Sequence, residues 1–334
     1  MLDRRTRIQN IVVAITFVYL AGLICWLILW LLFGDATWWL LLLNRFAPLL
    51  FLPVVVLFPL ALLTGLRRFA LIFLLPVILF VLLYRPFILP VRLRPVAQTQ
   101  SEFRVASYNI LYSNRNTTAI ADVIKDSDAD VVGLQEVQPD TFAALQDHLT
   151  DSYPHSFLAE PNPYGTTAIF SRYPLRDAQT VPLGVDRPAA VAIVDMQGQA
   201  LVFASAHLQP FGLHHYPLSE KAHVTNVRIA QQMAEAEMLL HALEQVDLPA
   251  VVTCDCNSQE LNDTIRFFGE SMQNAARSGW SLLADNREHP PDRDLTHLDY
   301  VFADKAFDVI GVSIWHDSGG SDHRPIIARL IRPK

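Results

Sequence analysis

The chain has 334 residues, 51% of them hydrophobic, with a formal net charge of −7 and three cysteines. That is room for one large domain or two smaller ones, and too few cysteines for a disulfide framework. Residues 1–100 hold nine arginines, no lysine and only two acids, Asp3 and Asp35, which leaves 17 of the 26 Lys and Arg against 31 of the 33 Asp and Glu, or −14, for residues 101–334. The two parts are built for different solvents, and the second lacks the basic surface that gripping long nucleic acid requires.

The first apolar run, Ile11 to Phe33, is uncharged and long enough to cross a hydrocarbon core of roughly 30 Å as a helix. A second, Phe46 to Gly65, contains Pro48, Pro53 and Pro59, and a third, Phe69 to about Leu89, contains Pro76 and Pro86. Membrane helices accommodate such prolines, and a re-entrant hairpin is the alternative for these two segments. A cleaved signal peptide fits poorly, because the first run is too long and no small-residue cleavage site follows it. Residues 1–91 are therefore expected to form a membrane anchor of three transmembrane helices, about 11–33, 46–65 and 69–89, with the lipid bilayer as partner. Arg4, Arg5 and Arg7 before the first span and Arg67–Arg68 between the second and third place those flanks in the cytoplasm. Three crossings of a bacterial-type plasma (inner) membrane then put the rest of the chain outside the cytoplasm, although Arg45, Arg85, Arg92 and Arg94 weigh against that orientation.

Residues 92–101 read as a short connector, followed by a domain over 102–332. Phe103–Tyr108 predicts a strand ending at Asn109, and Thr117–Asp128 a helix with an apolar stripe of Ile120, Val123 and Ile124. The run from Val131 reaches Glu136 as a mostly apolar strand. Phe142, Leu145 and Leu149 mark a short amphipathic helix. Thr166–Phe170 is a strand, and Ala189–Asp195 with Leu201–Ala206 predicts a hairpin about Gln197–Gly198 whose second arm delivers His207. Residues 209–225 contain His214, His215 and His223 without periodicity. They lack the further ligand of a zinc site and read as a surface loop. Ile229, Met233, Ala236, Leu240 and Leu243 form a helical face, and Leu248–Cys254 a buried strand running into Asp255 and Asn257. On an extended chain those two would share one side. Cys254 and Cys256 would also point the same way from that strand, a poor geometry for a bridge, and Cys25 lies in the first span. Leu298–Phe302 places Asp299 at a strand's start, Val309–Trp315 follows, and Ser321–Asp322–His323 stands at the entrance of the strand Ile326–Ala328.

Asn109, Glu136, His207, Asp255, Asn257, Asp299, Asp322 and His323 thus all fall at the edges of apolar strands. In order, the segments Ser107–Asn109, Leu134–Val137, Gly165 through Ser171–Arg172, His207–Leu208, Asp255–Ser258, Leu298–Tyr300 and Ser321–His323 resemble the motif set of the endonuclease/exonuclease/phosphatase superfamily, the deoxyribonuclease-I-like hydrolases. The resemblance covers about residues 101–332. It implies an α/β fold, a four-layer sandwich of two mixed β-sheets flanked by helices, and a divalent-metal-dependent attack on phosphorus.

That chemistry calls for a hard cation held by few carboxylates, with Mg2+ first and Mn2+ second. By resemblance Glu136 is the principal metal ligand, supported by Asn109 and Asp322. His323, oriented by Asp299, is the general base or the phosphate-polarising imidazole. Asp255 positions the attacking water, Asn257 donates to transition-state oxygens, and His207 contacts the phosphate. The family has glycine and phenylalanine around the aspartate where this chain has Cys254 and Cys256, which alters the wall beneath the site and opens it to oxidation. The substrate class expected is a phosphoester at the membrane surface, a lipid head group or a small molecule. The alternatives are an anchored nuclease acting on nucleic acid, and a domain that binds phosphorylated ligands without turnover.

Overall fold

The protein is described here by a computed structural model that covers residues 3–88, 102–184, 186–196, 198–212, 216–278 and 297–331. It comprises two compact units, Met1–Arg85 and Pro86–Lys334.

In the first unit, α1 spans Arg4–Phe33, α2 Trp38–Arg45, α3 Pro53–Leu63 and α4 Leu74–Ile88, with 3-10 turns at Ala47–Phe51 and Phe69–Phe73. Arg4–Phe33 and Phe69–Phe87 are each long and apolar enough to cross a membrane. The middle segment expected over 46–65 is long enough only together with the helix before it: Trp38–Arg45 and Ala47–Leu63 form a pair bent by 69°. Pro48 lies just past this break, in the first turn of Ala47–Phe51, and Pro53 opens α3 further on; each lacks a backbone donor and suits a helix start. Pro59, inside α3, is accommodated without one. The buried amide of Asn44 holds the corner, donating to Asp35 Oδ1 at 2.7 Å and Gly34 O at 3.0 Å while accepting from the Trp26 indole at 3.0 Å. Each bond satisfies a polar group that lipid could not.

In the second unit the order is β1 Glu102–Asn109, α5 Thr117–Asp126, β2 Val131–Val137, α6 Pro139–Leu149, β3 His155–Leu158, β4 Thr166–Ser171, β5 Leu175–Pro182, β6 Pro188–Met196, β7 Gln199–His207, α7 Leu218–Glu244, β8 Ala250–Asp255, α8 Asp263–Ser271, β9 Gln273–Asn274, β10 Asp299–Ala303, β11 Asp308–Ile314 and β12 Ile326–Ile331. Two six-stranded mixed sheets form, ordered β11-β12-β1-β2-β4-β3 and β5-β6-β7-β8-β10-β9. Each contains one central parallel pair, β1 with β2 and β7 with β8.

Alternation along β1 explains the layering. Phe103 and Val105 join Ile169, Phe203, Val251, Val301 and Ala328 in the core between the sheets. Ala106 and Tyr108 face outward and pack with Ile120, Ile124, Leu145 and Leu149 of α5 and α6. Toward the sandwich's polar end the facing residues become small. A Cβ on Gly133 would lie 1.9 Å from Thr253 Oγ1, so only glycine permits this approach of the two sheets. Beside it Ser205 Oγ donates to Leu134 O at 2.9 Å, a hydrogen bond from one sheet to the other.

One local reading changes, and two elements had no sequence reading. The helix anticipated from Ile229 begins at Leu218, so His223 is helical and the expected loop over 209–225 is shorter; His214 and His215 lie outside the described residues. The strand β5 is largely exposed and polar, without an alternating pattern to announce it, and it exists because β6 supplies its hydrogen bonds. Its helical counterpart is α8, which buries only Thr264, Ile265 and Phe268.

Candidate active site

Asn109 ends β1, Glu136 lies near the end of β2, and His207 and Asp255 end β7 and β8. The antiparallel partner β10 begins at Asp299, paired in register with Asp255. His323 stands just before β12, whose Ile326 pairs with Ser107. Strand direction therefore delivers all six groups to the same end of the sandwich.

Glu136 owes its position to a bulge. The β2–β4 register shifts between Leu134 and Val137, and Glu136 itself has φ +60°. Such a bulge turns a side chain out of the pleat. The carboxylate is then fixed on both oxygens, by Tyr112 N at 2.9 Å and by Asn109 Nδ2 at 3.1 Å. Asn109 is buried and central: its Nδ2 also donates to Asp255 Oδ2 at 2.8 Å, its Oδ1 accepts from Leu111 N at 2.9 Å, and its backbone carbonyl accepts from Ser321 Oγ at 2.7 Å. One amide thus ties carboxylates from opposite sheets.

Asp255 and Asn257 do not share a side of an extended strand, since β8 ends at Asp255 and Asn257 turns at φ +51°. Asp255 Oδ1 accepts from Asn257 N at 3.1 Å, and Asn257 Nδ2 donates to Leu208 O at 3.0 Å. The same turn corrects the reading of the cysteines. Cys254 and Cys256 form a disulfide, with Cα atoms 5.2 Å apart. A fully extended pair two residues apart would span nearly 7 Å and diverge from bridging geometry. The bridge is buried and straddles Asp255, so both sulfurs are committed covalently beneath the site.

Asp299 Oδ2 and His323 Nδ1 are 2.7 Å apart, and His323 Nε2 lies 4.0 Å from Asp255 Oδ2. Burial alone would lower the His323 pKa, but the Asp299 carboxylate, joined by Asp255 and Asp322, overrides it and raises it to about 10. Asp322 is half-buried next in chain and acts on His323 through this charge. Burial, then the Asp299 charge, hold the Asp255 carboxyl above the usual range. His207 Nε2 is 3.7 Å from Asp255 Oδ2 and 3.9 Å from Glu136 Oε1. Burial, reinforced by the Arg187 guanidinium, presses its pKa down to about 3. A neutral imidazole makes these close approaches rather than ion pairs.

The ligand atoms of Asp255, Asp299 and His323 lie within 4.8 Å of one another. Together with Glu136 and the Asn109 amide they supply only oxygen and nitrogen atoms, and the Asp255 carboxyl, held above the usual range by burial and then the Asp299 charge, favours a positive charge beside it. This donor set fits a divalent cation.

Arg187, Gln232 and Glu235 stand beside the site without having been marked in the sequence. Gln232 on α7 is fully buried. It donates to Gln209 O at 2.8 Å and Cys256 O at 3.0 Å, and accepts from Ser258 Oγ at 2.6 Å and Thr264 Oγ1 at 2.7 Å. Its signal was a polar residue abutting the apolar stripe of Ile229, Met233 and Ala236. Arg187 and Glu235 had no comparable pattern.

The solved endonuclease/exonuclease/phosphatase from Bacteroides vulgatus is similar at a TM-score of 0.55 and 21% identity, over 70% of this chain and 100% of that one. One from Beutenbergia cavernae DSM 12333 gives 0.54 and 21%, over 69% and 72%. The mannosyl-6-phosphatase Bt3783 of Bacteroides thetaiotaomicron VPI-5482 gives 0.52 and 16%, over 68% and 99%. These likenesses establish the fold, two mixed sheets flanked by helices. No curated protein matches the sequence. The family model of the Endonuclease/Exonuclease/phosphatase family matches residues 106–323, the span from β1 to His323 over which the site is assembled, and the chain is accordingly a member of that family of ester hydrolases.

Proposed function

We propose that this protein is a membrane-anchored, divalent-metal-dependent phosphoesterase whose domain lies outside the cytoplasm and takes a phosphate carried by a lipid head group or a small molecule. The observation that carries the reading is the convergence of Asn109, Glu136, His207, Asp255, Asp299 and His323 from both sheets on one end of the sandwich. The substrate class rests on the domain's formal charge of −14 and on the apolar helices of the first unit.

Glu136 would hold the cation with Asn109 and Asp322 in support, next to the Asp255 and Asp299 carboxylates. Mg2+ is the first fit and Mn2+ the second; when bound, such an ion neutralises charge on nonbridging phosphoryl oxygens. The chain's own residues do the rest. With Asp299 at Nδ1 and a pKa near 10, His323 is charged at neutral pH, which favours the phosphate-polarising role over that of general base. Asp255, with its raised pKa and an oxygen 4.0 Å from His323 Nε2, is placed to orient a water and accept its proton. Asn257 and His207 line the same end as hydrogen-bonding groups.

The test is a substrate panel on the purified full chain with added Mg2+ or EDTA: bis(p-nitrophenyl) phosphate, phospholipid vesicles, sugar phosphates and plasmid DNA. The expected result is EDTA-sensitive turnover of a lipid or small phosphoester, reduced about 10³-fold or more by Glu136→Ala or His323→Ala. Equal or better turnover of plasmid DNA would overturn the substrate class. Absence of turnover on every substrate would leave a binding domain instead.

A further inference from the structure

Arg187 lies just before β6 and has no role among the residues assigned above. Its Nη1 is 3.3 Å from His207 Nδ1, and its Nε donates to Gln209 Oε1 at 3.3 Å. Among the described residues it forms no ion pair with a carboxylate. Gln209, which holds it, is itself clamped: its N–H donates to Glu235 Oε2 at 2.7 Å, and its carbonyl accepts from Gln232 Nε2 at 2.8 Å. The guanidinium is therefore set in place from α7.

A guanidinium carries N–H donors and no acceptor, so a hydrogen bond between Arg187 and His207 has one polarity only. His207 Nδ1 must accept. A neutral imidazole accepting at Nδ1 carries its proton on Nε2. That nitrogen faces the site, 3.7 Å from Asp255 Oδ2 and 3.9 Å from Glu136 Oε1. His323 is set the opposite way, because its Nδ1 meets the Asp299 carboxylate, which only accepts. Of two imidazoles in one site, one is anchored by a cation and the other by an anion.

From this geometry we infer that Arg187 is a positioning residue, which locks His207 as an Nε2–H donor aimed at a phosphoryl oxygen of the substrate. The catalytic consequence rests on the phosphoesterase reading; the lock itself does not. His207 then binds and polarises the phosphate and takes no proton during turnover. Carboxylates crowd this end of the site, so a fixed donor beside them gives a substrate oxygen a neutral partner that requires no counter-charge.

The test uses the full chain in detergent with ¹⁵N-labelled histidine, in the wild type and in Arg187→Lys, Arg187→Met and Arg187→Glu. The nitrogen shifts of His207 should place its proton on Nε2 in the wild type and in Arg187→Lys, and on Nδ1 in Arg187→Glu, whose carboxylate can only accept. Turnover of the best substrate should stay within about tenfold of wild type in Arg187→Lys, a replacement that still donates. It should fall about 10²-fold in kcat in Arg187→Met and Arg187→Glu, the scale of losing one preorganised donor. In a His207→Ala background, Arg187→Met should cost less than about threefold more, because both changes remove the same interaction. A wild-type proton on Nδ1, or an Arg187→Met penalty that is the same with and without His207, would overturn the inference. Circular dichroism separates misfolding from these effects, and Arg187→Lys keeps the question open to test if the larger changes unfold the domain. A wild type that hydrolyses nothing would sink the phosphoesterase reading, while the nitrogen shifts would still decide the lock.

Discussion

Gly165→Ala is the substitution that most directly couples backbone geometry to the site. Gly165 has φ +83°, and a Cβ there would lie 2.5 Å from Glu136 C, 2.7 Å from its O and 2.8 Å from its Cα. All three are backbone atoms, so no side chain can swing aside. The left-handed conformation costs an L-residue about 1–2 kcal/mol, and forcing a methyl into packed backbone adds about 1–3 kcal/mol. The expected destabilisation is therefore about 2–5 kcal/mol. Restoring ordinary contact also requires the bulge carrying Glu136 to move by roughly 1 Å, and a displacement of that size costs about 10² in rate. It would break the 2.9 and 3.1 Å bonds that hold the Glu136 carboxylate. Gly198→Ala provides the control, since it has φ +88° with nothing within 4 Å of the added Cβ. It should show only the conformational cost and keep kcat. The assay is urea unfolding followed by circular dichroism, with kcat on bis(p-nitrophenyl) phosphate corrected for folded fraction. Wild-type kcat per folded Gly165→Ala molecule, or equal kcat losses in the two variants, would refute the reasoning.

Burial raises the Glu235 pKa to about 7, so the folded state binds a proton that the unfolded state releases above about 4.5. Its stabilisation is full below pH 4.5 and lost as pH rises through 7, by on the order of 3 kcal/mol; Glu235→Gln should remove that slope from pH-dependent unfolding curves. His323, raised to about 10, adds stability that is full below its unfolded value near 6.5 and lost as pH climbs through 10. Asp299→Asn, unfolded in EDTA across that window, should flatten the decline. The same variant should lower kcat by about 10³-fold or more, since an amide can present either a donor or an acceptor to Nδ1. Alkaline carbonate extraction should leave the chain in the membrane fraction. A C-terminal alkaline phosphatase fusion should be active and a C-terminal green fluorescent protein fusion dark, which would settle the orientation of the domain.

Much of the candidate site was legible because polar and charged groups at strand ends interrupt apolar runs. Asn109, Glu136, His207, Asp255 and Asp299 each follow or precede such a run, and the structure brings them together. Arg187 was silent, since an arginine before a strand is ordinarily a solvated surface charge. It is half-buried, and it is held through Gln209, which Glu235 and Gln232 of α7 clamp. The cysteines misled for a related reason: their spacing suits a straight strand, whereas the strand ends at Asp255 and the chain turns at Asn257. In the first unit hydropathy located the apolar segments, but the 69° bend falls between the buried Asn44, held by Gly34 and Asp35, and Pro48.

Local sequence determined the alternation of strands and helices, the apolar segments and the residue types available for phosphoester chemistry, because period and polarity act over a few residues. The tertiary structure alone decided which of those residues meet. The bulge that aims Glu136, the amide of Asn109 shared between two sheets and the opposite anchors of His207 and His323 are each set by partners distant in sequence. Hydrogen-bond polarity and backbone clearance at those contacts are properties of the packed fold, and no window of sequence contains both sides of them.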